Sequence, residues 1–239
     1  MNILFKTTIG LLLLASCTSE DKPKVIYSEN DAKVIQELKK DSTLIEIADL
    51  PIHFDSTNYL IHPIGEYKLY QPRGRGSFFS SSSYGSNSFG VSRFSGYEIS
   101  GNLYNLTFEE IDSGKTNQLT DKNIRIKSVR FLERTFEKTK KKILIYRIID
   151  RDTNQDKKLD GTDISTLYIS NIDGSKFKKL TKKLYELIDW KTITKTDRLY
   201  FRSISDSNKN GEFDKNDLIS YNYINLLSKD WTVKSYAPK

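Results

Sequence analysis

Two twelve-residue stretches of this chain carry oxygen-bearing side chains at the same five offsets. The first runs from Asp152 to Asp163, with Asp152, Asn154, Asp156, Asp160 and Asp163 at offsets 1, 3, 5, 9 and 12. The second runs from Asp206 to Asp217, with Asp206, Asn208, Asn210, Asp214 and Asp217 in the same places. A tight loop with that spacing turns alternate side chains onto one hard cation. The residue at offset 7, Lys158 or Glu212, then adds its backbone carbonyl, so its side chain is free to vary. The chemistry predicted is calcium binding, at two sites.

The plainer alternative is that Asp and Asn are simply turn formers, whose side chains bond nearby backbone and tolerate left-handed conformations. Two loops in matched register argue against it, as do Leu159 and Phe213, both apolar at offset 8. Several carboxylates in a small volume also repel one another unless a cation lies among them. The loops are not equal. Gly211 stands at offset 6 of the second, whereas Lys157 stands there in the first, at a cost of roughly 1 kcal/mol if that position is left-handed. The first loop has Asp156 where the second has neutral Asn210. Both end in Asp rather than a longer, two-oxygen Glu, which predicts structural affinity nearer the millimolar extracellular range than the sensor range.

The segments around the loops decide what can present them. Ile143–Ile149 and Thr166–Ile172 flank the first, and Arg198–Arg202 and Ile219–Ile224 the second. These runs are β-branched and aromatic without helical spacing, and they predict strands. Residues 152–164 resemble the general EF-hand loop, and both loops resemble the Asp-x-Asn-x-Asp loops of dockerins. Helices flank the loop in those families, so the resemblance covers the loops alone. It implies neither cohesin binding nor a calcium-sensor switch. Leu167–Thr181, with its strand, Asp-Gly turn, strand and Leu-Thr ending, resembles the closing strands of blades in TolB-type β-propellers, and Leu106–Thr120 matches it loosely. The resemblance implies a mainly β fold of antiparallel four-stranded units in a small or incomplete propeller-like domain, or a pair of stacked meanders. Units are expected to begin near Ile45, Phe94, Ile126 and Leu184, with each calcium loop joining a second strand to a third. Trp190 and Trp231 are expected in the core.

The N-terminus addresses the compartment. Lys6 precedes a short apolar run from Ile9 to Leu14 that suits a signal segment and is too short to span a bilayer. Leu14-Ala-Ser-Cys17 resembles a bacterial lipobox, which implies that Cys17 is lipidated and becomes the mature N-terminus. Thr18-Ser-Glu-Asp21 resembles the short acidic signals of Bacteroidota surface lipoproteins. The localisation expected is the outer membrane, with the periplasmic face and the cell surface both open. Cys17 is the only cysteine, so the mature domain forms no internal disulfide, and bound calcium is a substitute staple. The division expected is a signal peptide over 1–17, a polar tether over 18–43 with a helix-like stretch around 31–40, and a β-rich domain over 44–239. Residues 71–101 are expected to be a Gly/Ser/aromatic loop. Its Phe78, Phe79, Tyr84, Phe89, Phe94 and Tyr97 could anchor the loop, stack on a sugar or pair across a strand edge.

Composition removes other classes. The chain has 38 Lys and Arg against 31 Asp and Glu, a net charge of +7. Its lysines are dispersed and no nucleic-acid fold signature accompanies them, so nucleic acid is not an expected partner. No cysteine remains for nucleophilic chemistry, no Gly-x-Ser-x-Gly elbow occurs, and the two histidines, His53 and His62, border a strand pair where they pack or cap. Glu109 and Glu110 are strand neighbours that face opposite ways. The expected function is therefore a lipid-anchored, calcium-binding envelope module, non-catalytic, that serves a glycan or protein partner. The alternative is an extracellular hydrolase with an unrecognised site.

Overall fold

The structure, a computed structural model, describes residues 25–27, 38, 44–68 and 90–238. Cys17 with its lipobox, most of the 18–43 tether and residues 71–89 of the aromatic segment lie outside the described residues.

The domain is mainly β, and its strands pair antiparallel throughout. The first six strands are β1 (Leu44–Ala48), β2 (Ile52–His53), β3 (Tyr59–Lys68), β4 (Ser92–Ser95), β5 (Glu98–Glu110) and β6 (Thr116–Gln118). There follow β7 (Arg125–Phe131), the short helix α1 (Glu133–Thr139), β8 (Ile143–Ile149), β9 (Thr166–Asn171) and β10 (Lys178–Lys179). These ten strands make one sheet, in which β1, β3, β5, β7, β8, β9 and β10 lie side by side in that order. The last four, β11 (Tyr185–Ile193), β12 (Arg198–Ser205), β13 (Leu218–Asn225) and β14 (Lys234–Ser235), form a second sheet as a simple meander.

Sequence repeats show through this topology. β7 to β10 and β11 to β14 are four-strand meanders beginning where Ile126 and Leu184 predict, and in each a calcium-type loop joins the second strand to the third. β1, β3, β5 and β6 are adjacent in the same way. The Leu-Thr endings are equivalent: Leu119 N–H donates to the Leu106 carbonyl at 2.9 Å, and Leu180 N–H to the Leu167 carbonyl at 2.8 Å. Phe94 does not begin a unit. It lies in β4, paired with Ile99 across a tight turn at Gly96, so 92–95 and 98–101 are strand rather than the end of a loop. The hairpin is held to the sheet because Phe94 packs edge-on against the buried Phe54 at 5.7 Å, a partner far back in the sequence, and Ile99 is fully buried. The first two units share one sheet because the N-terminal half of β5 also pairs with β7.

β8 divides the interior. Its sequence, Ile-Leu-Ile-Tyr-Arg-Ile-Ile, is apolar at six of seven positions and buried at those six, the pattern of a strand covered on both faces. Leu144, Tyr146 and Ile148 face a core with Ile61, Leu106 and Phe108 that is drawn from the large sheet's own strands and turns, so that sheet must curve. Ile143 and Ile145 face the other way, into a core shared with Leu199, Phe201, Ile224 and Trp231 of the second sheet. The two sheets are thus fastened through one layer of apolar side chains, each fully buried one contributing about 1.5–3 kcal/mol. Trp231 is core, as expected; Trp190 is half-buried at the margin of the same cluster. Gly174, in the Asp-Gly turn before β10, has φ +79°, and a Cβ there would lie 2.6 Å from the Phe108 ring.

Candidate metal centres

The loops at 152–163 and 206–217 join β8 to β9 and β12 to β13, pairs in register on either side of each loop. Each twelve-residue segment must therefore leave and re-enter a strand pair at nearly the same point, and short polar side chains bonded to local backbone achieve this.

The two loops use one hydrogen-bond scheme. At offset 1, Asp152 accepts the N–H groups of Asp156 (3.2 Å) and Lys157 (2.7 Å), and Asp206 accepts those of Asn210 (3.2 Å) and Gly211 (2.7 Å). At offset 3, Asn154 and Asn208 each accept the N–H of offset 5, at 3.1 and 2.9 Å. At offset 5, Asp156 and Asn210 accept the N–H groups of Lys158 and Glu212. At offset 9, Asp160 and Asp214 accept from Thr162 and Asn216. At offset 12, Asp163 and Asp217 reach back to the N–H groups of offsets 2 and 9 together. Every Asp and Asn predicted as a ligand thus caps backbone N–H groups of its own loop.

The backbone repeats as closely. Offsets 4 and 6 are left-handed in both loops: Gln155 and Lys157 at φ 60° and 68°, Lys209 and Gly211 at 59° and 83°. Lys157 thus does occupy the conformation that Gly211 adopts without strain. Lys157→Gly is expected to stabilise the metal-free protein by about 0.5–1 kcal/mol, relief of the left-handed strain exceeding the entropy of the new glycine. Denaturant melts in EDTA measure it, and lowered stability would contradict the strain.

Burial separates the loops. Leu159 and Asp163 are buried in the first, at 7% and 1% exposure; in the second only Asp206 of the predicted ligands is buried, while Asn208, Asn210, Glu212 and Asp214 are exposed. Burial pushes the Asp163 carboxyl up from its ordinary value and the negative Asp152 adds to that, against the pull of N–H donors from Thr153, Asp160 and Asn154. The hydroxyl of Thr162 leads the interactions that hold Asp160 below the usual carboxylate range. The first loop therefore carries charge in a partly desolvated place, a cost that a cation held there would offset.

Two contributors were not singled out from the sequence. Offset 2 is a hydroxyl in both loops, and Thr153 and Ser207 accept the N–H of the residue after the loop, Ile164 and Leu218, each at 3.1 Å. The matched Thr and Ser were the available signal. The second is Val25–Tyr27, three apolar residues in a polar stretch, which lie against both loops rather than in a free tether. Val25 N–H donates to the Gly211 carbonyl at 3.1 Å, and Ile26 N–H to the Thr153 carbonyl at 2.8 Å. The Tyr27 hydroxyl donates to the Asp206 carbonyl at 3.2 Å, and partial burial followed by the Asp206 charge pushes that hydroxyl up to about 12. Val25 is 2% exposed, and a Cβ on Gly211 would meet its carbonyl oxygen at 2.8 Å, so glycine at offset 6 also makes room for this strap.

Do these donors fit a cation? Among the described residues, no three His, Cys, Asp or Glu side chains converge into a cluster able to hold a metal ion. The carboxylates instead spread along the loop, each on the N–H groups it caps. A carboxylate has about four lone-pair sites, so the ligands that accept one or two N–H groups keep oxygen capacity, whereas Asp163 already accepts three N–H groups and the Thr153 hydroxyl and would have to release one of them to take an ion. The donor set, all oxygen and rich in Asp and Asn, is that of a hard divalent ion.

Elsewhere, His53 Nε2 meets the Thr57 carbonyl at 2.9 Å and His62 Nε2 meets Glu109 at 2.8 Å. Glu110 takes the Ser113 hydroxyl and Asp112 the Asn58 amide. Each of these groups serves a turn or a cross-strand pair. The chain matches no family model, and no curated protein matches it.

Proposed function

We propose that the protein is a lipid-anchored envelope module whose two loops bind structural calcium, and that it is a binding or accessory component for a glycan or protein partner rather than a catalyst. The observation that carries the metal reading is the matched scheme: two loops 54 residues apart in sequence share ligand offsets, hydrogen bonds and left-handed positions. Asp152, Asn154, Asp156, Asp160 and Asp163 with the Lys158 carbonyl would hold one ion. Asp206, Asn208, Asn210, Asp214 and Asp217 with the Glu212 carbonyl would hold the other. The ion would supply charge neutralisation and cross-linking within each loop. Where no disulfide is available, that stabilises a strand pair at its open end.

The anchor reading rests on the lipobox-like Leu14–Cys17, and the docked Val25–Tyr27 segment favours it, since a chain led back onto the loops leaves only residues 18–24 between lipid and domain. The β7–β10 and β11–β14 quartets support a kinship with propeller blades. Calorimetric titration of calcium into the detergent-solubilised protein, with thermal melts of the same sample, tests the metal reading. Two sites with Kd on the order of 10⁻⁴ to 10⁻³ M and a raised melting temperature are expected. No binding at millimolar calcium would make both loops polar turns.

A further inference from the structure

A cleft of about 570 Å³ opens where the end of β7 and the start of α1 meet β11. Its walls come from both halves of the protein. Tyr97 is half-buried against the first core, its ring 6.3 Å from that of Phe131, and Trp190 is half-buried against the second core. Each ring is thus held by packing that does not depend on a ligand.

The polar groups around these rings are unequally matched. Arg130 pairs with Glu98 at 2.9 Å, and Glu133 accepts a hydrogen bond from the Tyr97 hydroxyl. Arg134 and Lys191 line the same cleft, both are exposed, and neither has an ion-pair partner among the described residues. Arg134 and Lys191 are thus the lining cations left to meet an anion, whereas Tyr97 stands among carboxylates, with Glu133, Asp55 and Glu137 all acting on its hydroxyl. Ligand sites commonly lie at such junctions between packed units.

We infer that this cleft binds an acidic saccharide, a sugar bearing a uronic carboxylate. The C–H face of the pyranose ring would pack on Trp190 or Tyr97, the carboxylate would meet Arg134 and Lys191, and the ring hydroxyls would bond Glu98, Glu133 and Thr192. Guanidinium–carboxylate bonds are charge-assisted and geometrically selective, which separates an acidic sugar from a neutral one of the same size. The inference rests on the reading of the protein as a non-catalytic binding module and names the ligand class of that module; it does not depend on the calcium loops.

The test is titration of the full chain in detergent micelles with hyaluronan tetrasaccharide, chitotetraose and inorganic phosphate, each with EDTA and again with calcium. The chain has two tryptophans, and Trp231 is buried at 4% exposure, so a fluorescence change reports Trp190. Saturable binding of the hyaluronan fragment is expected, with chitotetraose and phosphate weaker by about tenfold or more, the size of one good charge-assisted contact. Arg134→Ala with Lys191→Ala is expected to weaken the acidic fragment by a similar factor and to leave the melting temperature unchanged. Trp190→Phe is expected to silence the fluorescence response while calorimetry still reports heat.

Equal affinity for chitotetraose, phosphate binding as tight as the tetrasaccharide, or full affinity in the Arg134/Lys191 variant would overturn the inference. Calcium heats from the same samples keep the two readings apart. Saccharide binding without a calcium response condemns the metal loops alone, and a calcium response without saccharide binding condemns the cleft alone.

Discussion

Replacing both Asp152 and Asp206 with alanine is expected to abolish the calcium-dependent rise in melting temperature, and each single replacement to remove about half of it. At about 10 mM calcium and a Kd near 1 mM, one site contributes RT ln(1 + [L]/Kd), about 1.4 kcal/mol, so two sites contribute roughly 3 kcal/mol. For a domain of this size that is a shift of about 6–12 °C. The quantity to compare is the difference between melts in calcium and in EDTA, not the melting temperature itself. Each aspartate also caps two backbone N–H groups, Asp156 and Lys157 in one loop and Asn210 and Gly211 in the other. Its removal therefore weakens the metal-free fold, by about 1 kcal/mol for a typical hydrogen bond. A double variant that melts lower in EDTA yet keeps the full calcium increment would sink the metal reading.

The loops and their flanking strands were legible because each rests on local chemistry. Asp and Asn at fixed offsets specify their own hydrogen bonds, and β-branched runs such as Ile143–Ile149 specify strands whatever surrounds them. The equivalence of Leu106–Thr120 with Leu167–Thr181 was legible for the same reason, since a repeated hairpin carries its pattern within fifteen residues. What was not legible depends on partners distant in sequence. Phe94 looked like part of a Gly/Ser-rich loop because its strand is fixed by Phe54 and Ile99, and the merging of the first two units depends on β5 being long enough to pair with both β3 and β7. The strap at Val25–Tyr27 is the clearest case. Three apolar residues in a charged stretch carry no period, and their contacts, Thr153, Asp206 and Gly211, lie more than 120 positions away. Trp190 is expected in the core because it follows an Asp and lies about a blade from Trp231. It does pack there, but with one side left open to the cleft.

The same distance effect sets the pH response. Glu186, on β11, reaches across to the exit of the first loop, where Ser165 N–H donates to its carboxylate at 2.6 Å and Leu187 N–H donates to the Ser165 carbonyl at 2.8 Å. Its side chain is 15% exposed, and Arg147 stands 3.9 Å away with its guanidinium bonded to the Leu187 carbonyl. Burial pushes the carboxyl from 4.5 up to about 7, against the pull of the Ser165 N–H and of Arg147. The folded state therefore holds a proton between pH 4.5 and 7 that the unfolded chain has released. Stability from this group is fully present below about pH 4.5 and is lost as pH rises through 7. Glu186→Gln keeps an oxygen for the Ser165 N–H and never ionises. The variant is expected to match the parent near pH 4.5 and to exceed it by about 3 kcal/mol at pH 8, the shift from 4.5 to about 7 already containing the pull of Arg147. Denaturant melts of both proteins across that range, in EDTA, isolate the group, since every other titration is common to the pair. A gap between the two that stays constant from pH 4.5 to 8 would mean that Glu186 ionises in the folded protein as it does in the unfolded chain. In that case the contact between the first loop and the second sheet carries no burial cost.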